Sequence, residues 1–329
     1  MNAKKQISVI LSSAGRRVEL LNCFKKAAEK IGCLLKIITI DAEPEWSPAC
    51  RMADASYRVP KVTDPDFINS LIKICKKHTV QLIVPTIDTE LLVYADSRNE
   101  FESVGTKILL SRQPSISIAR DKLKTSELLS AHGIKTPKSW PATSLKDRME
   151  LIPFPLMMKP VNGYCSNGIF IANSVQEILD ARVNLENYVA QELCRGDEYT
   201  INAFYDRNGK WVACVPHFRK FVRSGEVCFA ETRRIQAFTD VAKKLQDVFR
   251  GLWGNICFQG FLNSEDVATV FEINARFGGG YPICDEAGGT YAKWILQDLL
   301  GEEPDYHDNW QEGLRMLRFD AAVFVNGSI

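Results

Sequence analysis

Val270-Phe271-Glu272-Ile273-Asn274-Ala275-Arg276-Phe277-Gly278-Gly279-Gly280 is the stretch from which the rest of the chain is read. Its alternation of apolar and polar residues predicts a strand, and on a strand the side chains at i and i+2 share a face. Glu272, Asn274 and Arg276 then project together, while Phe271, Ile273 and Ala275 face the other side. Magnesium prefers hard oxygen ligands, few of them from protein and the rest from phosphates and water, which suits Glu272 and Asn274. A guanidinium fork beside them matches phosphoryl oxygens, which suits Arg276. A solvated surface strand would show the same alternation, but it would not normally run into three consecutive glycines.

Upstream, Leu156-Met157-Met158-Lys159-Pro160 reads as an apolar strand ending in a lysine. It is followed by Val161-Asn162-Gly163-Tyr164-Cys165-Ser166-Asn167-Gly168, small and polar residues whose backbone amides can wrap phosphate oxygens. Taken alone, this segment reads equally well as a hairpin with two turn glycines. Some twenty residues on, Gln191-Glu192-Leu193 closes another strand and Glu198 heads the next. A backbone edge there could receive a purine, and an ionised Glu198 could accept from ribose hydroxyls. The competing reading is an ordinary solvated turn.

From Ile7 to about Leu110, short apolar runs alternate with amphipathic segments, as in a parallel α/β domain. Ligands of such sheets bind beyond the carboxyl ends of the strands. Two loops lie there, Ser12 to Arg17 and Pro85 to Glu90, which makes Ser13, Gly15, Arg16, Asp88 and Glu90 candidate substrate contacts. The first loop lacks a full GxGxxG pattern, which argues against a dinucleotide-dependent oxidoreductase. After Ser111 the rhythm changes to α+β, with helices expected at Asp121 to His132 and Asp240 to Arg250 and a hairpin turn at Asn208-Gly209.

The chain has 329 residues, 46% hydrophobic and 25% charged, an ordinary globular balance with room for two or three domains. Lys plus Arg number 41 against 40 for Asp plus Glu, so no global field draws it to nucleic acid or anionic lipid. No apolar run approaches the length of a membrane span, and a cytoplasmic protein is expected. The ten cysteines include no CxxC pair, which argues against a zinc ribbon or redox dithiol. Cys165 stands apart because it falls in the Gly-containing loop.

Taken in order, Lys-Pro with its Gly-rich loop, QEL followed by EYT, Gln259 on a strand and EINAR resemble the ATP-grasp superfamily. More narrowly, the chain is similar to the ATP-binding units of the carbamoyl phosphate synthase large subunit and to short ligases of the pyrrolysine-biosynthesis type. The resemblance implies an N-terminal Rossmann-like pre-ATP-grasp domain over residues 1–111, a small lobe with its linker helix over 112–190 and a large lobe over 191–329. It implies that Lys122 and Lys159 contact the nucleotide phosphates and that Asn162, Gly163, Ser166 and Gly168 close over them. Gln191, Glu192, Leu193 and Glu198 match positions around adenine and ribose. Gln259, Glu272 and Asn274 match metal positions, and Arg276 matches the arginine at the transferring phosphate, so that Lys159, Glu272 and Arg276 form the catalytic set.

The implied activity is an ATP- and magnesium-dependent ligase, with manganese as a substitute ion, that activates a carboxylate as an acyl phosphate, transfers it to an amine and releases ADP. Its partners would be small-molecule carboxylate and amine substrates and a second copy in a homodimer. Arg233 and Arg234 are candidates for the substrate carboxylate. Two other functions fit the same motifs: carbamoyl-phosphate-synthase-like phosphorylation of a small carboxylate or carbamate, and a non-catalytic ATP-binding regulatory module.

Overall fold

The computed structural model describes residues 5–145, 152–163, 168–223 and 225–325. Its first sheet begins with β1 (Gln6–Ser12), whose core residues are buried on both faces, the signature of a central parallel strand. With β2 (Leu34–Asp41), β3 (Ala55–Arg58), β4 (Leu82–Val84) and β5 (Lys107–Ile108) it forms a parallel sheet of order β3-β2-β1-β4-β5. Strand order reverses between β1 and β4, so the loops after these two strands lie side by side at the carboxyl edge.

Those loops are stitched together from within. Glu90 is fully buried and its carboxylate accepts from Ser12 Oγ (2.6 Å), Ser13 Oγ (2.9 Å) and the backbone amides of Thr86 (2.7 Å) and Ile87 (3.2 Å). Thr86 Oγ1 lies within hydrogen-bond reach of the carbonyls of Ser12 (2.9 Å) and Ser13 (2.8 Å). Burial pushes the Glu90 pKa up, partly offset by these donors.

The remaining strands make two antiparallel sheets. The smaller has order β6-β9-β7-β8, from β6 (Ser139–Pro141), β7 (Leu156–Pro160), β8 (Phe170–Ala172) and β9 (Tyr188–Glu192). The larger has order β14-β13-β10-β11-β12-β15, from β10 (Asp197–Tyr205), β11 (Trp211–Arg223), β12 (Glu226–Thr232), β13 (Gly254–Leu262), β14 (Ala268–Asn274) and β15 (Arg315–Leu317). The Asn208-Gly209 turn joins β10 to β11 as expected, with Asp206 Oδ1 accepting from the amides of Asn208 and Lys210. The helix expected from Asp240 starts earlier and covers Gln236–Val248, because Phe238, Val241, Ala242 and Leu245 bury its apolar stripe against the large sheet.

One apolar cluster joins Ile10 and Ile83 of the first sheet and Tyr94 of the helix Leu91–Asp96 with Ile201 and Phe258 of the large sheet and Phe238 of the helix packed on it. A second joins Leu21 and Phe24 of the helix Val18–Ile31 with Tyr281, Tyr291 and Trp294. The small sheet has a core of its own around Leu156, Met158 and Ile178. Among the described residues no helix is long and apolar enough to cross a membrane.

Because four donors converge on the buried Glu90 carboxylate, Glu90→Ala is expected to destabilise the protein by about 3 kcal/mol or more, read as a drop in the urea midpoint. The raised pKa also fixes a sign. Between the ordinary carboxylate pKa and the higher folded value the native state binds more protons, so this group's contribution to stability falls as pH rises through that window. Glu90→Gln should flatten that part of the stability profile.

Candidate active site

A cleft of about 220 Å³ opens between the small sheet, the large sheet and the N-terminal loops. It is lined by Lys122, by Lys159 of the small sheet and Gly163 just after it, by Glu198, Gln259, Glu272, Asn274 and Arg276 of the large sheet and its exit, and by Arg16 and Asp88 of the N-terminal loops. Residues chosen from separate stretches of sequence thus meet on one surface.

The large sheet sets the floor by register. Glu272 faces Gln259, Gln259 faces Thr200 and Thr200 faces His217, and paired residues on antiparallel strands share a face. One step along, Asn274 faces Cys257. Arg219, two residues beyond His217, reaches back over this floor: its Nη1 donates to Thr200 Oγ1 at 3.0 Å. Its Nε lies 2.9 Å from Glu198 Oε1, an ion-pair distance without hydrogen-bond alignment. The Gln259 amide fits with its oxygen toward Arg219 Nη1 (3.2 Å) and its nitrogen toward Glu272 Oε2 (3.1 Å), so presenting that oxygen to a metal requires the amide to turn. Burial, reinforced by Arg219 and Arg318, pushes the His217 imidazole down to about 3 and keeps it neutral.

Two details of the EINAR segment depart from strict alternation. The register shifts between Gln259 and Gly260, so Phe271 sits in a bulge and lines the cleft instead of facing away. Lys159 Nζ stands 4.8 Å from its ring centroid. The strand itself ends at Asn274, and Arg276 reaches the cleft from a tight turn in which its amide donates to the Asn274 carbonyl at 2.8 Å. Ile273 and Ala275 are buried as expected.

Arg276 is held by a loop of the parallel sheet. Its Nη2 pairs with Asp88 Oδ2 of the β4 loop, with side-chain exposures of 13% and 6%. Burial opposes the guanidinium charge, but the Asp88 charge and hydrogen bond, with Glu272, outweigh it and hold the pKa above the ordinary arginine value. Arg276 Nε and Asp88 Oδ1 are buried and have no partner among the described residues. Asp88 therefore serves Arg276 first.

The two lysines are both depressed in pKa, chiefly by burial, with Glu272 working against the shift. Lys159 Nζ donates to Gln191 Oε1 at 2.8 Å, and Gln191 Nε2 donates to Ser139 Oγ at 3.0 Å. Gln191 is thus spent inside the protein orienting Lys159, and its side chain does not line the cleft. Lys122 Nζ lies 3.8 Å from Glu272 Oε1 and donates to the Gly163 carbonyl at 3.0 Å, while Arg120 Nη2 donates to the Asn162 carbonyl at 3.1 Å. Two cations thereby hold the start of the Gly-rich loop. At its far end Gly168 takes φ +72°, and a Cβ there would meet Tyr188 Oη at 2.8 Å, so both backbone and space call for glycine. Ser166 and Cys165 lie outside the described residues.

Several expected residues are placed elsewhere. Arg233 stacks on Phe218 (4.8 Å) and pairs with Glu231, while Arg234 stacks on Trp310 (4.0 Å) and donates to its carbonyl; neither lines the cleft. Ser13 and Glu90 are used in the loop stitching, and Gly15 turns at φ +45° with its amide on Asp41 Oδ2. Glu192 and Leu193 lie off the cleft at the end of β9. Conversely, Arg17, Arg219 and Glu226 line it without having been singled out. Arg219 could have been found only by pairing β10 with β11 in register, and Glu226 carries no local signal.

The donor set fits a magnesium-bound polyphosphate. Two lysines and Arg276 supply positive charge, and Glu272 and Asn274 offer hard oxygens toward open space. Among the described residues no group of three or more His, Cys, Asp or Glu gathers as a self-sufficient metal site. Such sparse ligation is what magnesium uses when phosphates complete its shell.

Residues 119–280 match the family model described as ATP-grasp domain, and residues 9–109 match PylC-like, N-terminal domain. The chain belongs to the ATP-grasp superfamily. The chain is 26% identical to D-alanine–D-alanine ligase of Fusobacterium nucleatum over 186 residues, 53% of this chain and 62% of the relative. Against the carbamoyl phosphate synthase large chain of Pyrobaculum aerophilum it is 25% identical over 80% of this chain but 29% of the relative. The chain thus spans less than two thirds of these relatives. In fold it is similar to the biotin carboxylase domain of Hydrogenobacter thermophilus 2-oxoglutarate carboxylase, solved with MgADP and bicarbonate, at TM-score 0.73 and 15% identity over 93% of this chain and 73% of that one. It is also similar to Staphylococcus aureus N5-carboxyaminoimidazole synthetase with ADP, at TM-score 0.69 and 16% identity over 92% and 79%.

The Asp88 and Arg276 pair yields a direct test. Asp88→Ala leaves a buried guanidinium uncompensated and is expected to cost about 3–5 kcal/mol in chemical denaturation. A double-mutant cycle with Arg276→Ala should return a coupling of roughly 2–3 kcal/mol.

Proposed function

We propose that this ATP-grasp chain is a magnesium-dependent ligase that phosphorylates a carboxylate with ATP and passes the acyl group to an amine, releasing ADP and phosphate. The observation that carries this reading is the meeting of Lys122, Lys159, Glu272, Asn274 and Arg276 on one cleft. The matched relatives named as D-alanine–D-alanine ligase and as probable alpha-L-glutamate ligase of Parasynechococcus marenigrum favour amide-forming chemistry.

A carboxylate approaching a terminal phosphate brings two anions together, so the protein's part is positioning and charge neutralisation. Lys159, oriented by Gln191 and braced over Phe271, would hold the nucleotide phosphates from the small-lobe side, and Lys122 would do so from the linker helix. Glu272 and Asn274 would hold magnesium, which when bound spreads positive charge over the phosphoryl oxygens. Arg276, fixed by Asp88, would face the transferring group with donors aimed before the reaction begins. The Asn162–Gly168 loop, tied down at one end by Arg120 and Lys122, would shield the activated acyl group from water. We propose the domain divisions near residues 111 and 190, with the small sheet and its separate core, Ala142 to Ala190, as the part that moves, because Ile116, Leu129 and Ile134 before it pack in the cluster shared by the other two sheets.

Two outcomes are expected. A nonhydrolysable ATP analogue with magnesium at about 100 times its dissociation constant should stabilise the protein by roughly 2.7 kcal/mol in calorimetry, an effect lost in Lys159→Met. With ATP and a panel of carboxylates, hydroxylamine in place of the amine should yield a hydroxamate and ADP in the wild type. Glu272→Ala should lose this turnover at least 10- to 100-fold while keeping most nucleotide affinity. AMP as the main product would overturn activation by phosphorylation, and nucleotide binding with no turnover across the panel would favour a regulatory module.

A further inference from the structure

At the end of the cleft away from the two lysines, the chain gathers arginines that the phosphoryl chemistry does not use. Arg17, at the start of the helix Val18–Ile31, places Nη1 3.3 Å from Glu226 Oε1. Arg318 comes from the far end of the chain. Antiparallel pairing of β15 with β12 carries it alongside, its amide donates to the Cys228 carbonyl at 2.8 Å, and its Nη1 lies 3.4 Å from Glu226 Oε2. Its Nη2 donates to the Gly279 carbonyl at 2.7 Å. Arg16 lines the same end and makes no hydrogen bond or ion pair among the described residues.

The local charge does not balance. Arg16, Arg17, Arg223 and Arg318 stand against Glu226 and Asp320, and Asp320 is already taken by Arg223; Arg16 and Arg17 line the cleft, while Arg318 meets its edge through Glu226 and Gly279, which also line it. Arg276 adds nothing to the excess because Asp88 neutralises it. The two contacts to Glu226 are also longer than the usual 2.7–2.9 Å of a tight charge-assisted bond. Arg17 lines the cleft and spends one nitrogen on Glu226, and none of its other nitrogens is buried without a partner. Its pKa is lowered, first by burial and then by Arg276 and Arg318 against the pull of Glu226, as in a site short of negative charge.

The Glu226 carboxylate shows what this place accepts. Gly279 has no positive φ that would demand glycine, yet a Cβ there would stand 1.8 Å from Glu226 Oε2. The missing side chain leaves room for a carboxylate between two guanidiniums, directly after the EINAR strand and its turn.

We propose that Arg16, Arg17 and Arg318 seat an anionic group of the substrate, a carboxylate or a phosphate distinct from the carboxylate being activated, with Glu226 as the internal anion it competes against. On the ligase reading above, this makes one substrate at least doubly anionic, with one charge at the reacting centre near Arg276 and another held at this end. Two guanidiniums recognise carboxylate and phosphate alike, so the seat fixes the charge and not its source.

Isothermal titration of the full chain with succinate, inorganic phosphate and propionate, with and without magnesium and a nonhydrolysable ATP analogue, tests this. Succinate or phosphate is expected to bind about tenfold or more tighter than propionate. The stronger of the two identifies a dicarboxylate or a phosphorylated substrate. Arg17→Gln and Arg318→Gln should each weaken that binding roughly tenfold while leaving nucleotide affinity in place. Glu226→Gln should instead strengthen it about threefold or more by freeing both guanidiniums, a sign that a merely structural role would not give. Arg16→Gln, an exposed change safe for folding, should weaken it more modestly. Equal binding of succinate, phosphate and propionate, or arginine variants that bind like wild type, or a Glu226→Gln variant that loses affinity as the arginine variants do, overturns the seat. The nucleotide-free titrations keep the two readings separate: an analogue that fails to bind removes the ATP assignment, while arginine-dependent succinate or phosphate binding would still establish the anion seat.

Discussion

The ion pair between Asp88 and Arg276 is the constraint around which the cleft is organised. A guanidinium this deeply buried is stable only beside a compensating charge, and the nearest one comes from another sheet, 188 residues away in the chain. That requirement fixes how the β4 loop must sit on the exit of β14. The β4 loop is in turn fixed to the β1 loop by Glu90 and Thr86, so Arg16 and Arg17 are placed by the same chain of contacts. One buried charge thus determines which N-terminal residues reach the cleft.

Packing divides the molecule differently from the way the sheets do. The parallel sheet and the large antiparallel sheet share continuous apolar clusters, so they form one rigid floor and wall. The small sheet closes on its own residues, and Lys159 at the end of β7 reaches the floor over the Phe271 ring. The architecture therefore joins a fixed side, which carries Glu272, Asn274 and Arg276, to a side that carries Lys159 and the Gly-rich loop.

Electrostatics within the cleft are graded rather than uniform. At one end Lys122 and Lys159 are held by burial below the ordinary lysine value, with Glu272 as their shared counter-charge. In the middle Arg276 and Asp88 cancel. At the other end guanidiniums exceed carboxylates around Glu226. A ligand with negative charge at both ends and a reacting centre between them would match this gradient.

The sequence by itself determined the order of elements and the chemistry of the EINAR strand, because apolar periodicity and the i, i+2 rule are local and survive without knowledge of partners. It likewise marked Lys159, the Gly-rich loop and the two N-terminal loops, each of which follows a strand that its own composition reveals. Only the tertiary structure decided which candidates meet. Arg233 and Arg234 read as well as Arg219 on the page, yet register with β10 turns Arg219 onto the floor, while stacking on Phe218 and Trp310 takes the other two away. Gln191 became a support for Lys159, Asp88 a partner for Arg276 and Phe271 a cleft residue through a single bulge. Pairing register, bulges and the neutralisation of buried charge are relations between distant segments, and no local pattern encodes them.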